Sequence, residues 1–443
     1  MREYNFDGLV GPTHNYGGLS TGNLASTSHF KQVSNPLGAV LEGLDKMRLI
    51  SELGVGQALL PPQQRPSLRV LRALGFQGSD EEVIAGASEH PRLLSLCSSS
   101  AAMWAANAAT CTPSSDTTDH RVHLSVANLH SMFHRAIEAD ATFAVLKSIF
   151  EDPEFFSVHA PLPGGEQFAD EGAANHLRLV TRGHPALHLF AWGRASYRET
   201  TSPRIHPARQ TEEASQAVAR AHLIAPQQCL FPQQNPIGID AGAFHTDVLA
   251  VGNESFLMLH AQAFADLPGV LSQMQRQLGP EFSYLVADQN LLTLKDAIDA
   301  YPFNSQIVTL PDGTMALIAP QESQVNSSAK VFLEQVVSHN NPIQSLHYLN
   351  LSQSMQNGGG PACLRLRIGL TEREKSAIRA NVFYTPTLHR TLQQWAHTHY
   401  RDRLVPDDLK DPCLARESME ALDQLTQILR LGSIYDFQSL SEV

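Results

Sequence analysis

Hydrophobic and polar positions follow a helical period in some segments of the chain and a strand period in others. The helix signals are an Asn or Thr that can cap a first turn, in several places followed directly by proline. These signals predict helices over 37–53, from Thr211 to about 223, from Asn326 to 337, after the Thr371-x-x-Glu374 capping box, from Thr385-Pro386 onward, and over 414–431. No Pro/Ser-rich linker separates these segments.

Strand patterns lie between the predicted helices. They predict strands over 122–129, 187–192, 244–251, 256–259, 307–310, 315–318 and 363–368. Gly252-Asn253-Glu254 separates one adjacent pair and Pro311-Asp312-Gly313 another, so both pairs are predicted to form hairpins. Hairpins between helices are not typical of a purely parallel, doubly wound sheet. They favour an α/β fold of repeated ββα-type units, although we find no regular sequence repeat.

Composition and charge narrow the class of protein. The 443 residues are 42% hydrophobic and only 17% charged, which suits a large core and argues against disorder. The net charge is −12 and no basic run occurs, so nucleic acid and an anionic membrane surface are poor partners. Acidic residues near the N-terminus and the lack of an 18-residue apolar stretch predict a soluble, cytoplasmic protein without a signal peptide.

Five cysteines are spread widely along the chain: Cys97, Cys111, Cys229, Cys363 and Cys413. An odd number of cysteines without a C-x-x-C motif argues against a disulfide framework and against a zinc ribbon. A single catalytic thiol remains possible.

The strongest candidate for such a thiol is Cys363, which directly follows the glycine-rich loop 357–362. Three consecutive glycines let the backbone approach a ligand closely or adopt a positive φ. Strand alternation would place Cys363 on one face with Arg365 and Arg367, and nearby cations favour the reactive thiolate. The alternative is a glycine turn followed by an ordinary buried cysteine, since free cysteines are common in protein cores.

Two further segments carry acid–base candidates. If residues 244–251 are extended, His245 and Asp247 project from the same face, where an imidazole can transfer protons and a carboxylate can bind a cation. An ordinary polar strand end explains the same pattern. The adjacent carboxylates of Asp170 and Glu171 precede small residues, which suggests a packed loop, whereas a solvated turn is the common outcome for such pairs.

Other segments offer ligand-binding candidates. Residues 11–23 are dense in Gly, Asn and hydroxyl side chains without the P-loop pattern, so they either wrap a small ligand or form a flexible loop. His130 and His134 have the spacing of helical zinc ligands, but the glutamate of H-E-x-x-H is missing. Arg135 and Arg209 are candidate partners of a substrate carboxylate, which arginine binds in a bidentate manner. An exposed surface arginine is the alternative for Arg209.

Several of these segments belong to longer motifs that resemble a known family. The motifs are residues 5–11, 103–104 with 106–110, 170–176, 244–247, the glycine-rich loop with its cysteine, and 431–435. Together they resemble the N-succinylarginine dihydrolase family, one of the guanidine-modifying enzymes, over nearly the whole chain. Motifs of this length are far more specific than a single short pattern.

The resemblance implies both a fold and a reaction. The implied fold is α/β: a five-bladed α/β propeller, the pentein fold, with ββαβ-type units around a central active site in one catalytic domain, 1–443. The implied substrate is the small molecule N-succinyl-L-arginine, hydrolysed with two waters to N-succinyl-L-ornithine, two ammonia and carbon dioxide in arginine catabolism. No metal or cofactor is expected, and members of the family are described as homodimers.

The resemblance also assigns roles to residues. Cys363 matches the nucleophile, His245 the catalytic histidine and Glu171 the catalytic acid. The implied substrate contacts are Gly17, Gly18, Leu19, Ser20, Thr21, Gly22, Asn23, Leu24, Ala25, Ser26, Asn107, His134, Arg135, Arg209, Asp247 and Asn357. Gly17, Thr21 and Leu24 lie where we expect the family to vary, which affects contact geometry rather than the reaction.

Three other functions remain open at this point. A one-step deiminase would stop at a citrulline-like product and release a single ammonia. A metal-dependent amidohydrolase would need a metal ion, and a non-catalytic binder of acylated arginine would show no turnover. The presence of Cys363, His245 and Glu171 argues against the binder.

Overall fold

Five three-stranded sheets form the β structure of residues 1–439, the part of the chain that this computed structural model describes. In each sheet the middle strand pairs antiparallel with one neighbour and parallel with the other. A helical connection joins the two parallel strands, as their geometry requires, so each unit has the order ββαβ. This repetition confirms the expected architecture of five α/β units.

The same strand order recurs along the chain. The strands are β1 (Arg2–Gly8), β2 (Gly56–Leu60), β3 (Ala109–Thr112), β4 (Val122–Val126), β5 (Phe156–His159), β6 (His176–Leu179), β7 (Leu187–Phe190), β8 (Cys229–Leu230), β9 (Ala250–Asn253), β10 (Phe256–His260), β11 (Ser283–Ala287), β12 (Gln306–Thr309), β13 (Met315–Pro320), β14 (Ile343–Leu349) and β15 (Arg365–Leu370). The sheets have the orders β15-β1-β2, β3-β4-β5, β6-β7-β8, β11-β10-β9 and β12-β13-β14.

The first unit is completed by the last strand. β15 pairs antiparallel with β1, in a register that runs from Arg2 opposite Leu370 to Asp7 opposite Arg365. The first and the last strand of the described chain therefore pair in one sheet. This pairing carries Cys363, which lies directly before β15, to the N-terminal half of the chain.

The helices connect the strands and extend the chain after β15. They are α1 (Leu24–Ser28), α2 (Pro36–Glu52), α3 (Leu68–Ala73), α4 (Asp80–Ser88), α5 (Pro91–Ser98), α6 (Phe133–Ala136), α7 (Ala139–Ile149), α8 (Glu212–Ala221), α9 (Pro236–Ala241), α10 (Leu267–Leu278), α11 (Leu294–Ala300), α12 (Gln321–Val325), α13 (Ser327–Ser338), α14 (Ser352–Met355), α15 (Glu372–Ala377), α16 (Pro386–His399), α17 (Pro412–Leu429) and α18 (Asp436–Ser439). The predicted helices are confirmed as α2, α8, α13, α15, α16 and α17. Their caps form as expected: Asn35 caps α2, and Thr371 and Glu374 form the capping box of α15.

Both predicted hairpins are confirmed, since β9 pairs with β10 and β12 with β13. Two predicted strands are wrong at their N-terminal ends. β9 begins only at Ala250, because Thr246–Val248 forms a 3₁₀ turn. β15 begins at Arg365, because residues 361–364 form a turn that contains Cys363. Short apolar runs do not distinguish a strand from such a turn, and the polar groups here bond to neighbouring segments instead of to a strand.

One large apolar cluster joins all five sheets. Leu124, Leu189, Leu257, Leu317 and Leu366, one from each sheet, are each at most 1% exposed. A second cluster packs α3, α4 and α5 against the beginning of α17. Among residues 1–439, no helix is long and apolar enough to cross a membrane. The shared core fixes the sheets relative to one another, and so fixes the loops at their ends.

Candidate active site

Five loop segments, each directly before the first strand of a unit, are joined to one another in a ring. The hydrogen bonds that join them are Ala106 N to Cys363 O (3.0 Å), Asn107 Nδ2 to Glu171 O (2.7 Å), Thr246 N to Asn175 Oδ1 (2.8 Å), Asn304 Nδ2 to Asp247 O (3.3 Å) and Ala362 N to Asn304 O (3.0 Å). Each segment thus bonds to two neighbours. The fold thereby brings together candidate residues that lie far apart in sequence.

The candidate nucleophile, Cys363, is buried in this ring. Its Sγ lies 3.4 Å from Asp247 Oδ2 and 3.1 Å from Asn304 Nδ2. Burial raises the pKa of the thiol well above its ordinary value, and the negative charge of Asp247 raises it further. Without a ligand, Cys363 is therefore a protonated thiol whose S–H donates to Asp247.

The expectation that Arg365 and Arg367 favour the thiolate is wrong. Cys363 precedes β15, so strand alternation does not place it beside these side chains. Arg365 donates instead to Glu3 Oε1 at 3.4 Å, and Arg367 donates to backbone carbonyls. Burial and Asp247 raise the pKa of the thiol, and hydrogen bonds from Asn304 and Gly360, rather than the two arginines, oppose that rise.

Asp247 is poised between its two ionisation states. Burial raises its pKa to about 7, while hydrogen bonds from Cys363 and Asn304 oppose that rise. Its Oδ1 has no hydrogen-bond partner within the protein. A cation placed against this carboxylate would favour its ionised form.

Glu171 joins His245 and Arg135. Its Oε2 accepts from His245 Nε2 at 2.6 Å and from Arg135 Nη1 at 2.5 Å. Burial alone would raise the pKa of Glu171, but the arginine and the histidine outweigh burial and hold that pKa below its ordinary value. Burial lowers the pKa of His245 to about 4, so the imidazole is neutral at pH 7. Because an ionised carboxylate only accepts, Nε2 carries the hydrogen and the unpaired Nδ1 is a base.

The solvated-turn alternative for Asp170 and Glu171 is wrong, since both side chains are at most 1% exposed. Gln210 anchors them: its Oε1 accepts from Glu171 N at 2.7 Å, and its Nε2 donates to Asp170 Oδ1 at 3.0 Å. Burial raises the pKa of Asp170 to about 6. The two neighbouring carboxyl groups therefore differ in pKa, which is raised for Asp170 and lowered for Glu171. Only Glu171 faces the histidine.

The N-terminal segment 17–26 docks on the glycine-rich loop through Asn357. Asn23 Nδ2 donates to Asn357 O at 3.0 Å, and Ser26 Oγ donates to Asn357 Oδ1 at 3.2 Å. Gly358 has a φ of +89°, and a Cβ there would lie 2.1 Å from Asn23 Oδ1. The expected close approach of a glycine backbone is therefore confirmed at this position.

Two basic side chains flank the same N-terminal segment. The Arg209 guanidinium stacks on the Phe244 ring at 4.6 Å, and its Nη2 donates to Thr21 O at 2.7 Å. His134 Nε2 lies 3.5 Å from Ser20 Oγ, and burial lowers the pKa of His134 to about 3. His134 is thus neutral at pH 7, whereas arginine keeps its charge.

The remaining predicted substrate-contact residues and the predicted zinc ligands have weaker support in the structure. Gly17, Gly18, Leu19, Gly22 and Ala25 lie in the N-terminal segment and have no side-chain hydrogen-bonding group, so only their backbone can bond to a polar ligand. Leu24 is 46% exposed. The helical zinc spacing of His130 and His134 is wrong, because α6 begins only at Phe133. In residues 1–439 no group of three or more His, Cys, Asp or Glu side chains is arranged to hold a metal ion.

Several buried polar atoms of the site have no hydrogen-bond partner within the protein. They are Glu171 Oε1, Asp247 Oδ1, Arg135 Nη2, Arg209 Nε and His245 Nδ1. Burying such atoms without a partner is costly, so a cluster of them indicates a ligand site. Two are carboxylate acceptors and two are guanidinium donors. The site therefore suits a ligand that carries both a cationic and an anionic group.

Two buried residues of the site were not predicted. Asn304, which is fully buried, contacts the thiol, and Gln210 holds the two carboxylates. Asn304 comes shortly before the predicted strand 307–310, just as Cys363 comes at the start of another. Comparing the residues that precede the first strand of each unit would therefore have pointed to Asn304.

Comparison with known proteins gives a consistent result. A sequence model of the family described as succinylarginine dihydrolase matches residues 1–438. The chain is 62% identical to the N-succinylarginine dihydrolase of Myxococcus xanthus over 439 residues, 99% of this chain and 100% of that protein. It is 48% identical to the N-succinylarginine dihydrolase of Burkholderia cenocepacia over 442 residues, 99% of each chain.

Solved structures share the fold at low identity. The product-bound N-terminal domain of ArgZ, an arginine dihydrolase from the ornithine–ammonia cycle in cyanobacteria, aligns with a TM-score of 0.50 and 14% identity. That alignment covers 83% of this chain and 97% of the ArgZ domain. The apo structure of ArgZ also aligns with a TM-score of 0.50, over 84% of this chain and 42% of that one. These matches support the five-unit α/β fold.

Proposed function

From its membership of the succinylarginine dihydrolase family, we propose that the chain converts N-succinyl-L-arginine to N-succinyl-L-ornithine. Members of this family are hydrolases that act on C–N bonds, and so is this chain. The reaction consumes two waters and releases two ammonia and one carbon dioxide, as a step of arginine catabolism. The proposed enzyme is a single catalytic domain without metal or cofactor. It works in the cytoplasm as a homodimer.

The observation that carries this proposal is the set of buried, unpaired polar atoms. Asp247 Oδ1 and Glu171 Oε1 are free acceptors, and the guanidinium of a substrate offers five N–H donors to them. Arg135 Nη2 and Arg209 Nε donate, and a carboxylate offers acceptors in a matching geometry. N-succinylarginine carries a guanidinium at one end and a succinyl carboxylate at the other, so it supplies partners of both kinds.

The guanidinium carbon is a poor electrophile, because resonance spreads its positive charge. We expect Asp247 and Glu171 to hold and polarise it. The positive charge of the substrate beside Asp247 lowers the pKa of both this carboxyl and the adjacent thiol. Cys363 then attacks the carbon as a thiolate.

His245 moves the protons of the first round. Its neutral Nδ1 accepts the thiol proton and then passes it to the departing ammonia, which leaves an S-alkylthiouronium on Cys363. His245 next deprotonates a water, which attacks the same carbon. The C–S bond breaks, the proton on His245 returns to the sulfur, and the protonated urea loses its extra proton to solvent, which leaves a succinylcitrulline-like urea. Glu171 keeps His245 in the tautomer that these steps require.

The second round repeats this chemistry on the urea. Cys363 attacks the ureido carbon, a second ammonia leaves, and a thiocarbamate remains on the sulfur. A second water hydrolyses the thiocarbamate. The resulting carbamate loses carbon dioxide and gives succinylornithine, so both waters and both ammonia molecules are accounted for.

The succinyl end is held by Arg209 and by the N-terminal segment 17–26. Arg209 is already oriented by the Phe244 ring and by Thr21 O. Arg135 has two tasks in this scheme, because its Nη1 pairs with Glu171 while its Nη2 is free to donate to substrate. His134, Asn107 and Asn357 complete the contacts.

The test is the ammonia released per N-succinyl-L-arginine consumed by the purified, chelator-treated protein. Two equivalents with succinylornithine as product would support the proposal. One equivalent would make the enzyme a deiminase, and none would refute the substrate. Activity lost on chelation and restored by zinc would instead favour the metal-dependent amidohydrolase.

A further inference from the structure

Asn304 lies between the cysteine turn and the carboxylate that faces the thiol. It comes from the loop before β12, whereas Cys363 and Asp247 come from the loops before β15 and β9. Its side chain makes four contacts: Nδ2 to Cys363 Sγ (3.1 Å), Nδ2 to Asp247 O (3.3 Å), Oδ1 to Gly360 N (3.0 Å) and Oδ1 to Cys363 N (3.3 Å). The Asn304 side chain is fully buried.

The surroundings fix which way this amide points. Two backbone N–H groups, at Gly360 and Cys363, face one side of the amide and can only donate, so that side must be Oδ1. The carbonyl of Asp247 faces the other side and can only accept, so that side must be Nδ2. The group that meets the sulfur is therefore an N–H donor.

We propose that Asn304 is a positioning residue that favours the thiolate of Cys363 and holds the sulfur toward the substrate carbon. This inference rests on the proposed role of Cys363 as nucleophile. Asn304 Nδ2 donates to the sulfur, and a hydrogen bond to the charged form of a group favours that form. Asp247 acts in the opposite sense until a cation binds, because its carboxylate accepts from the S–H.

A purely structural role would look different. Asn304 also holds the cysteine turn through backbone N–H groups, and Gln306 holds the same turn from the same loop, with Nε2 donating to Pro361 O at 2.8 Å. Gln306 is equally buried but makes no hydrogen bond to the sulfur. The two amides thus form a matched pair: both support the turn, and Asn304 alone contacts the thiol.

The experiment compares Asn304→Asp with Gln306→Glu in the full chain. Each substitution keeps the size of the side chain and changes an amide to a carboxyl. Alkylation of Cys363 by iodoacetamide is followed in short pulses by peptide mass spectrometry between pH 7 and 12, because burial and Asp247 raise the pKa of this thiol well above its ordinary value, and kcat and KM are measured with N-succinylarginine. The midpoint of the alkylation profile reports the thiol pKa independently of access, because access scales every rate in the profile equally.

Asn304→Asp is expected to shift the alkylation midpoint up by about one pH unit or more, which is a tenfold change in thiolate population. We expect kcat to fall by about 100-fold or more with little change in KM, and Gln306→Glu to keep a midpoint near the wild-type value. Equal midpoints in all three proteins would overturn the proposal. So would equal shifts in both variants, since these would indicate support of the turn alone.

Asn304→Ala removes the donor without adding a carboxyl, and it tests the proposal if the Asp variant does not fold. The same upward shift is expected, and an unchanged midpoint again overturns the inference. The alkylation profile does not need turnover. A wild-type protein that fails to hydrolyse N-succinylarginine would therefore refute the proposed function and still leave this comparison decisive.

Discussion

Replacing Glu171 with glutamine tests how the acid–base pair is held. The Glu171 carboxylate accepts from His245 Nε2 and from Arg135 Nη1 through the same oxygen. Glutamine has the same shape but only one acceptor oxygen, and its amide nitrogen donates. The remaining oxygen can still accept from both partners, but an N–H donor replaces the unpaired Oε1 that faces the proposed guanidinium. The negative charge that stabilises His245 when Nδ1 takes up a proton is also lost.

The structure sets the expected size of these effects. Replacing the comparable carboxylate of a catalytic triad by an amide lowers kcat by about 10⁴-fold, and we expect a loss of roughly 10³- to 10⁴-fold for Glu171→Gln. The substitution also removes a charge from a buried ion pair in which Arg135 and Glu171 are at most 2% exposed. Removing one partner of such a pair costs about 3–5 kcal/mol of the free energy of unfolding.

The assay measures kcat and KM by ammonia release, and the free energy of unfolding by urea titration. Asp170→Asn is the matched control, because Asp170 is the neighbouring buried carboxyl and bonds to Gln210 rather than to His245. We expect Asp170→Asn to keep at least a tenth of the wild-type kcat. Glu171→Gln with kcat within about tenfold of wild type would refute the reasoning, since neither the charge of this carboxylate nor its free oxygen would then matter to the reaction.

Two further predictions concern substrate binding and acid stability. Arg209→Gln should raise KM by roughly ten- to a hundredfold, with a smaller effect on kcat, because it removes a charged donor to the succinyl carboxylate; an unchanged KM would exclude Arg209 from the site. His222 is fully buried between Thr112 Oγ1 and Ser125 Oγ, and burial holds its pKa well below the ordinary 6.5. Because the unfolded chain protonates this group first, the free energy of unfolding should fall as pH drops below about 6.5, by up to about 1.4 kcal/mol per pH unit for each such histidine. His222→Gln should reduce that slope in urea titrations between pH 8 and 5, and an unchanged slope would contradict the assignment.

The parts of the fold that could be predicted are those coded locally. Turn residues such as Pro311-Asp312-Gly313 predicted a hairpin, and Asn35 and Thr371 predicted helix starts, because caps and turns depend on residues only a few positions apart. The pairing of β1 with β15 joins the first and the last strand of the described chain, and no local pattern indicates it. The resemblance, not the periodicity, led to the five-unit ring.

The candidate site shows the same division. Cys363, Glu171 and His245 were identified through the resemblance, while their spacing alone left ordinary alternatives open. The pKa of Cys363 was predicted in the wrong direction. Strand alternation suggested two arginines beside the sulfur, but Cys363 lies in the turn before β15, where its sulfur faces Asp247 instead. Asn304 was missed because its side chain contacts two other units, those of Asp247 and Cys363, which a linear sequence does not bring together.

The central claim is that Cys363 carries the substrate carbon during both rounds of hydrolysis. The most direct measurement is the mass of the Cys363 peptide from enzyme quenched with acid during turnover of N-succinylarginine, with Cys363→Ala as the control. The account predicts an adduct of the substrate on Cys363, and a Cys363→Ala protein that binds substrate without releasing ammonia. Turnover by Cys363→Ala at the wild-type rate, with no adduct on the native peptide, would contradict it.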